Sequence, residues 1–339
     1  MTLPDRILLA HGAGGRKTRE LIEELLFPSL SNEFLATLSD AAVMPRLPEG
    51  RPALTTDGFV VDPPLFPGGD LGYLSVCGTV NDLSVAGAEP LWLTWSLILE
   101  EGLETSLLRT CLEGAVRAAR EAGVRIVAGD TKVVPKGKGD RLFITTAGLG
   151  VVPPGRDLGD HRVLPGDAIL ATGPLGDHGA TIMASRHGMS GAALRSDCAP
   201  LNGLIAALLA SGAEVHSLHD PTRGGALVTC HEVCARTGLR MVLEEAHLPV
   251  RAEVAALCEL LGLAPVAMPC EGRALIWLKE SDAPRAIEAL RNHPLGRGAC
   301  AIGRAEAPRK DRSPVAMRTP TGEERPLDLR AGADLPRIC

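Results

Sequence analysis

Apolar positions recur along the chain with two periods. Over residues 104–123, ETSLLRTCLEGAVRAAREAG, the side chains Leu108, Cys111, Leu112, Ala115, Ala119 and Ala122 share one face at helical spacing, and Gly123 stands where a C-terminal cap belongs. The run VRIVAGD follows at once and predicts a buried strand through Val124, Ile126 and Val127 that delivers Asp130 to its C-terminal end. An earlier pair reads the same way. RPALTTDGFVVD predicts a strand carrying Asp57 at a Gly turn, and DLGYLSVCGTVNDLSVAGA predicts a helix apolar around much of its circumference.

A second block begins near residue 163. PGDAILATGPLGDHG predicts a strand into a Gly-rich turn, HGMSGAALRSDCAPLNGLIAALLASG predicts helical material, and VHSLHDPTRGGALVTCHEVCARTG repeats the order strand, acid, turn, helix. GRALIWLKESDAPRAIEALRNHPLGRGACAIGRA adds a strand, a helix and a strand. Strands and helices alternate, so the fold class is α/β. The Pro- and Gly-rich VVPPGRDLGDHRVLPGD divides the chain into residues 1–155 and 156–309. Beyond Arg309 the apolar residues thin out and prolines stand at 314, 320, 326 and 336, which disfavours helix and central strand and predicts a flexible tail over 310–339. At roughly 3.3 Å per extended residue, such a tail could carry its last residue, Cys339, across most of a domain.

Composition narrows the function classes. The chain has 339 residues, 45% of them hydrophobic, enough to bury the cores of two ordinary domains. A formal charge of −6 with interspersed signs provides no cationic stripe for a phosphate backbone, so nucleic acid is not an expected partner. No apolar run approaches the roughly 20 residues of a membrane span, and no secretory signal is visible, which points to the cytoplasm. The nine cysteines are odd in number and lie mostly in apolar stretches, as reduced core thiols do. Cys230 and Cys234 of CHEVC lack a second Cys/His pair at zinc spacing and read as core. Cys339 is the exception.

Four acids recur beside apolar segments: Asp40 in LSDAAV, Asp57 in TTDGFV, Asp82 in TVNDLS and Asp130 in VAGDTK. Singly each is an ordinary turn or cap residue; converging, they would make a hard-oxygen site suited to Mg2+ with phosphate oxygens completing its shell. Gly-rich stretches accompany them, HGAGGRK with Gly12, Gly14 and Gly15, FPGGDLG, and DPTRGG with Gly224. Their backbone N–H groups suit phosphates, with Arg16, Lys17 and Arg223 as counter-charges, although neither a Walker A loop nor a dinucleotide-binding fingerprint is present. His178, His219 and His231 are candidate partners for a nucleophilic Cys, but nothing marks a protease-like triad.

The combination TTDGFVV, FPGGDLG, CGTVNDLSVAGAEP, AGDTKVV and LHDPTRGG with a terminal PRIC resembles the HypE family, carbamoyl dehydratases that help make the cyanide ligands of nickel–iron hydrogenases. That family belongs to the aminoimidazole ribonucleotide synthetase superfamily, and the likeness runs from HGAGG to Cys339. The resemblance implies a two-domain fold whose N-terminal sheet forms a barrel with that of a second protomer. It implies that the carbamoyltransferase HypF loads a carbamoyl group on the Cys339 sulfur, that ATP phosphorylates its oxygen, and that a thiocyanate results, with the HypC–HypD complex as acceptor of cyanide. ATP and Mg2+ are then the cofactors, with Asp40, Asp57, Asp82, Asp130 and Asp220 as metal ligands. Glu271 in PCEGRA and Lys132 in GDTKVV match the acid and lysine of the dehydration site, while Asn81 and His219 orient groups around the nucleotide. Two alternatives stand beside this reading: an ATP-dependent kinase or synthetase of the same superfamily acting on a free small molecule, and a thiol carrier without chemistry of its own.

Overall fold

A computed structural model describes residues 3–37, 39–189, 193–329, 335 and 337–339; Pro336 lies outside the described residues. Strands β1 (Arg51–Phe59), β2 (Glu89–Glu100), β3 (Arg125–Val134) and β4 (Leu142–Val152) form one sheet in the order β1-β4-β2-β3, with β2 and β3 parallel and the other pairs antiparallel. Helices α1 (Leu71–Val85) and α2 (Thr105–Ala122) cover one face. Asp70 caps α1 by accepting from the Tyr73 N–H at 2.8 Å, and Gly123 ends α2 in the left-handed region at φ 69°.

Alternation along these strands sends Leu93, Trp95, Leu97 and Leu99 of β2 into the core beneath the helices. The Trp95 indole donates to Ser75 of α1 at 2.8 Å. Among the described residues no helix covers the opposite face. There, register aligns Leu54 of β1, Leu149 of β4 and Trp92 of β2, and Leu54 remains 77% exposed.

The second sheet has seven strands: β5 (Ala168–Ala171), β6 (Val215–His219), β7 (Arg240–Glu244), β8 (Leu275–Leu278), β9 (Cys300–Glu306), β10 (Val315–Arg318) and β11 (Glu324–Pro326), ordered β11-β10-β7-β9-β5-β8-β6. Helices α4 (Asn202–Ala210), α5 (Gly225–Thr237) and α7 (Ala283–Arg291) pack on it, while α3 (Asp177–Arg186) and α6 (Ala252–Leu261) pack against each other.

Three local expectations are revised. Asp57 and Asp130 lie within strands rather than at their ends, because pairing continues on both sides of each residue. The segment 315–326, expected to be tail, supplies two strands. Its prolines occupy positions that a sheet margin tolerates: Pro314 precedes β10, Pro320 lies in the connecting turn, and Pro326 ends the edge strand β11. Ion pairs fasten this hairpin, with buried Arg240 reaching Glu306 at 3.0 Å and Glu324 at 2.8 Å, and Arg318 reaching Glu244 at 2.7 Å. Of the helical material expected over 187–212, the described residues form only α4. Among the described residues no helix is long and apolar enough to cross a membrane.

Candidate active site

Where α1, the end of β1 and the loops preceding α5 and β8 meet, they enclose a cavity of about 980 Å3. Asp57, Asp82, Asp220, Arg223, Gly224, Glu271 and Cys339 line it. Asp57 points toward α1 because its strand neighbour across the ladder, Thr146, is bonded to Thr79 of that helix. Asp82 stands one turn further along α1 and accepts from the Thr55 hydroxyl at 2.7 Å. Asp220 follows β6 directly. Gly224, at φ 72°, turns the chain into α5, and a side chain on the next residue, Gly225, would strike the Met268 carbonyl at 2.5 Å.

Three carboxyl groups this close interfere with one another. Burial, followed by the charge of Asp82, raises Asp57 to about 6 and Asp220 to about 7. Arg223 opposes the shift at Asp57. Such a set holds more negative charge than Arg223 offsets, and this is the donor chemistry that Mg2+ accepts, since that ion takes one or two carboxylates and completes its shell with water and phosphate oxygens. Among the described residues no three His, Cys, Asp or Glu side chains stand close enough to cage a metal unaided.

Glu271 is 2% exposed, and among the described residues its Oε1 has no hydrogen-bond partner. Burial first, and then the surrounding acids Asp220, Asp197, Asp57 and Asp82, push it well above the ordinary carboxyl range. Its backbone is held tightly. Asp197 accepts from the N–H groups of Glu271 and Gly272 at 3.3 and 3.4 Å, and a side chain at Gly272 would meet the Asp197 carbonyl at 1.8 Å.

The chain end enters this cavity. Val60 N–H donates to the main-chain oxygen of Cys339 at 3.1 Å and Asp62 N–H to that of Arg337 at 3.2 Å. Arg337, in the left-handed region at φ 54°, turns outward to pair with Asp140 and donates to the Val60 carbonyl at 2.9 Å. Ile338 is 3% exposed within the apolar core shared with α1. These anchors leave the Cys339 thiol in the cavity, where burial and then the nearby Glu271 raise it to about 12, with Arg223 opposing.

Other sequence candidates stand elsewhere. Asp130 and Lys132 are exposed and paired to each other on the open sheet face, because register places Asp130 beside Ser96, whereas Asp57 shares the opposite face with Thr146 and Trp95. Asp40 joins Asp130 at a separate cavity of about 330 Å3. Within one chain the five expected metal ligands therefore form two groups. Gly12 packs against Val133 of β3, where a side chain would meet the Val133 nitrogen at 2.6 Å; neither it, Gly14 nor Gly15 lines the larger cavity. Asn81 does not line it either, since its amide is used between domains. His219 bonds to Asp160 at 2.7 Å and borders a smaller depression beside Arg223. Cys230 and Cys234 are buried core residues, and His231 bonds to the Leu327 carbonyl at 2.6 Å.

Residues 38–152 and 165–315 match the families described as AIR synthase related protein, N-terminal and C-terminal domain. The chain is 47% identical over 339 residues to the carbamoyl dehydratase HypE of Rhodobacter capsulatus, covering 99% of this chain and 98% of that protein. A crystal structure of the hydrogenase maturation protein HypE in complex with ATP superposes with a TM-score of 0.93 at 41% identity, covering 98% of this chain and 99% of that one. The HypE chain of a HypE–HypF complex matches with a TM-score of 0.79 at 40% identity, covering 91% and 99% respectively.

Proposed function

The chain belongs to the HypE family of carbamoyl dehydratases, and from that premise we propose that Cys339 carries the group that this ATP-dependent enzyme of hydrogenase maturation dehydrates. The observation that supports this reading is the lodging of Cys339 in the cavity formed by Asp57, Asp82, Asp220 and Glu271. ATP is the phosphoryl donor. Mg2+ held by carboxylates among Asp57, Asp82 and Asp220, with phosphate oxygens completing its shell, would neutralise the phosphates, and Arg223 with the start of α5 gives further positive potential.

The chemistry balances as follows. The oxygen of Cys339–S–C(=O)–NH2 attacks the γ-phosphorus, ADP departs, and one N–H proton leaves, giving Cys339–S–C(OPO3)=NH. The second N–H proton then leaves as the C–O bond breaks, releasing phosphate and leaving Cys339–S–C≡N. Glu271 is the base: buried beside Cys339, with one oxygen unpartnered among the described residues and an affinity for protons raised by burial and then by its acidic neighbours, it would take the protons of an amide on that sulfur. A thiol pushed to about 12 in the docked position is a poor nucleophile, so HypF would load it while the tail is withdrawn.

Two chains would pair over the open sheet face, which presents Leu54, Leu149 and Trp92. The cavity extends to that face through Thr56, Gly58 and Thr145. Pairing would then bring Asp40, Asp130 and Lys132 of one chain toward the cavity of the other, gathering the acids that a single chain keeps apart. HypC–HypD would accept the cyanide, in the cytoplasm.

Incubation with HypF, carbamoyl phosphate and Mg-ATP, followed by mass spectrometry of the C-terminal peptide, tests the reading. A thiocyanate mass on Cys339, absent from Cys339→Ala, is expected. Consumption of ATP on a free small substrate with an unmodified Cys339 would refute it.

A further inference from the structure

His178 is one of the three histidines that the sequence offers as partners for a nucleophilic Cys. It lies in the first turn of α3, is fully buried, and stands edge-on to Phe66 with ring centroids 5.4 Å apart. Its Nε2 lies 2.8 Å from the carbonyl oxygen of Ile338, and its Nδ1 lies 2.8 Å from the Ser196 hydroxyl. A carbonyl only accepts, so Nε2 carries the proton. Burial lowers the proton affinity of the ring and keeps it neutral, so Nδ1 accepts from Ser196. The Ser196 oxygen in turn accepts from the Cys198 N–H at 3.0 Å, and the Ser196 N–H donates to Pro67 at 2.9 Å. This relay fixes both tautomer and ring plane.

The residues it joins come from both domains and from the chain end. With Val60 and Asp62 taking the oxygens of Cys339 and Arg337, His178 completes a set in which three successive main-chain oxygens each have a donor. Val60 and Asp62 offer backbone N–H groups along one extended segment; the Arg186 guanidinium adds a donor to the Arg337 carbonyl, and His178 offers a side-chain donor to the Ile338 carbonyl between them. Because Ile338 directly precedes Cys339, the orientation of its carbonyl sets the direction of the thiol.

We propose that His178, oriented by Ser196, is a positioning residue that seats the chain end and aims the Cys339 sulfur at Glu271. It is not the base that a Cys–His pair suggests, since its proton is committed to the Ile338 carbonyl. The inference rests on the dehydratase reading for its catalytic consequence, but docking itself is measurable without catalysis.

Two readouts on the full chain separate these. The first is the rate at which iodoacetamide alkylates Cys339, followed by mass of the C-terminal peptide in the absence of ATP. The second is single-turnover thiocyanate formation on Cys339 loaded by HypF. His178→Phe keeps the ring and loses both hydrogen bonds, leaving the buried carbonyl without a donor; alkylation should accelerate about tenfold or more and thiocyanate formation should slow by a similar factor. ATP affinity should not move. His178→Gln, which retains an N–H donor, should recover part of both. Ser196→Ala keeps the imidazole but frees its plane, should show an intermediate effect, and carries the test if His178→Phe does not fold. Wild-type alkylation and wild-type turnover in a folded His178→Phe protein, or in Ser196→Ala if only that variant folds, would overturn the inference. Failure of the wild-type protein to form thiocyanate would overturn the dehydratase reading instead, while alkylation would still decide the docking role.

Discussion

The side-chain amide of Asn81, on α1 of the first domain, donates to the main-chain carbonyl of Glu271 in the second at 3.1 Å. The same nitrogen donates to the Ala199 carbonyl at 3.1 Å, and Asn81 Oδ1 accepts from Leu201 N–H at 2.7 Å. One turn of helix that supplies Asp82 to the cavity thus also fixes the residue opposite it. Replacement by Ala would strand these buried groups. Asn81→Ala should destabilise the protein by about 1–3 kcal/mol in urea unfolding and slow thiocyanate formation, while Asn81→Asp, with no donor, should not restore either.

The cavity acids give stability a definite pH dependence in metal-free protein. Asp57 and Asp220 ordinarily titrate at 3.8, but in the fold at about 6 and about 7. Over that window the folded state binds more protons than the unfolded chain, so their contribution to stability is fullest at low pH and is lost as pH rises toward 7. Asp220→Asn should therefore raise the melting temperature more at about pH 8 than at about pH 5, relative to the native protein. Mg-ATP should flatten the native protein's slope, and chelation should restore it. An Asp220→Asn effect equal at both pH values would contradict the assignment.

Arg337, at the margin of the cavity, holds the chain end through Asp140 and the Val60 carbonyl. Arg337→Ala keeps Ile338 and its buried contacts but loosens that hold. Iodoacetamide should label Cys339 about five- to tenfold faster, the increment expected of one hydrogen bond and a half-exposed ion pair. Labelling at the native rate would show that the apolar seat of Ile338 suffices.

Lys132 and Glu271 lie on different faces of one chain, so a site built between two chains predicts complementation. Separately inactive Lys132→Ala and Glu271→Gln proteins, mixed under exchange conditions, should recover about a quarter of native thiocyanate formation, since half the dimers are mixed and each holds one complete site. No recovery would place both residues' action within a single chain.

Much of the architecture was legible along the chain because it rests on local periodicity. The helix ending at Gly123, the buried strand through Ile126 and Val127, and the strand, acid, turn, helix order around Asp220 all follow from which positions are apolar and where glycine interrupts them. The acids, glycines and Cys339 were visible as candidates for the same reason: their types and settings are properties of short segments. What no segment contains is which face of a sheet a residue takes. A strand alternates sides at every residue, so whether Asp57 and Asp130 meet depends on register with strands remote in sequence, and that register put them on opposite faces. The hairpin at 315–326 was hidden because its stabilisation comes from Arg240 and Glu306 in other strands rather than from its own sparse apolar residues. Likewise, His178 and Ser196 are separated from Ile338 by well over a hundred residues, and only packing of the two domains against the chain end turns a histidine in a Gly-rich turn into a donor for the carbonyl beside Cys339.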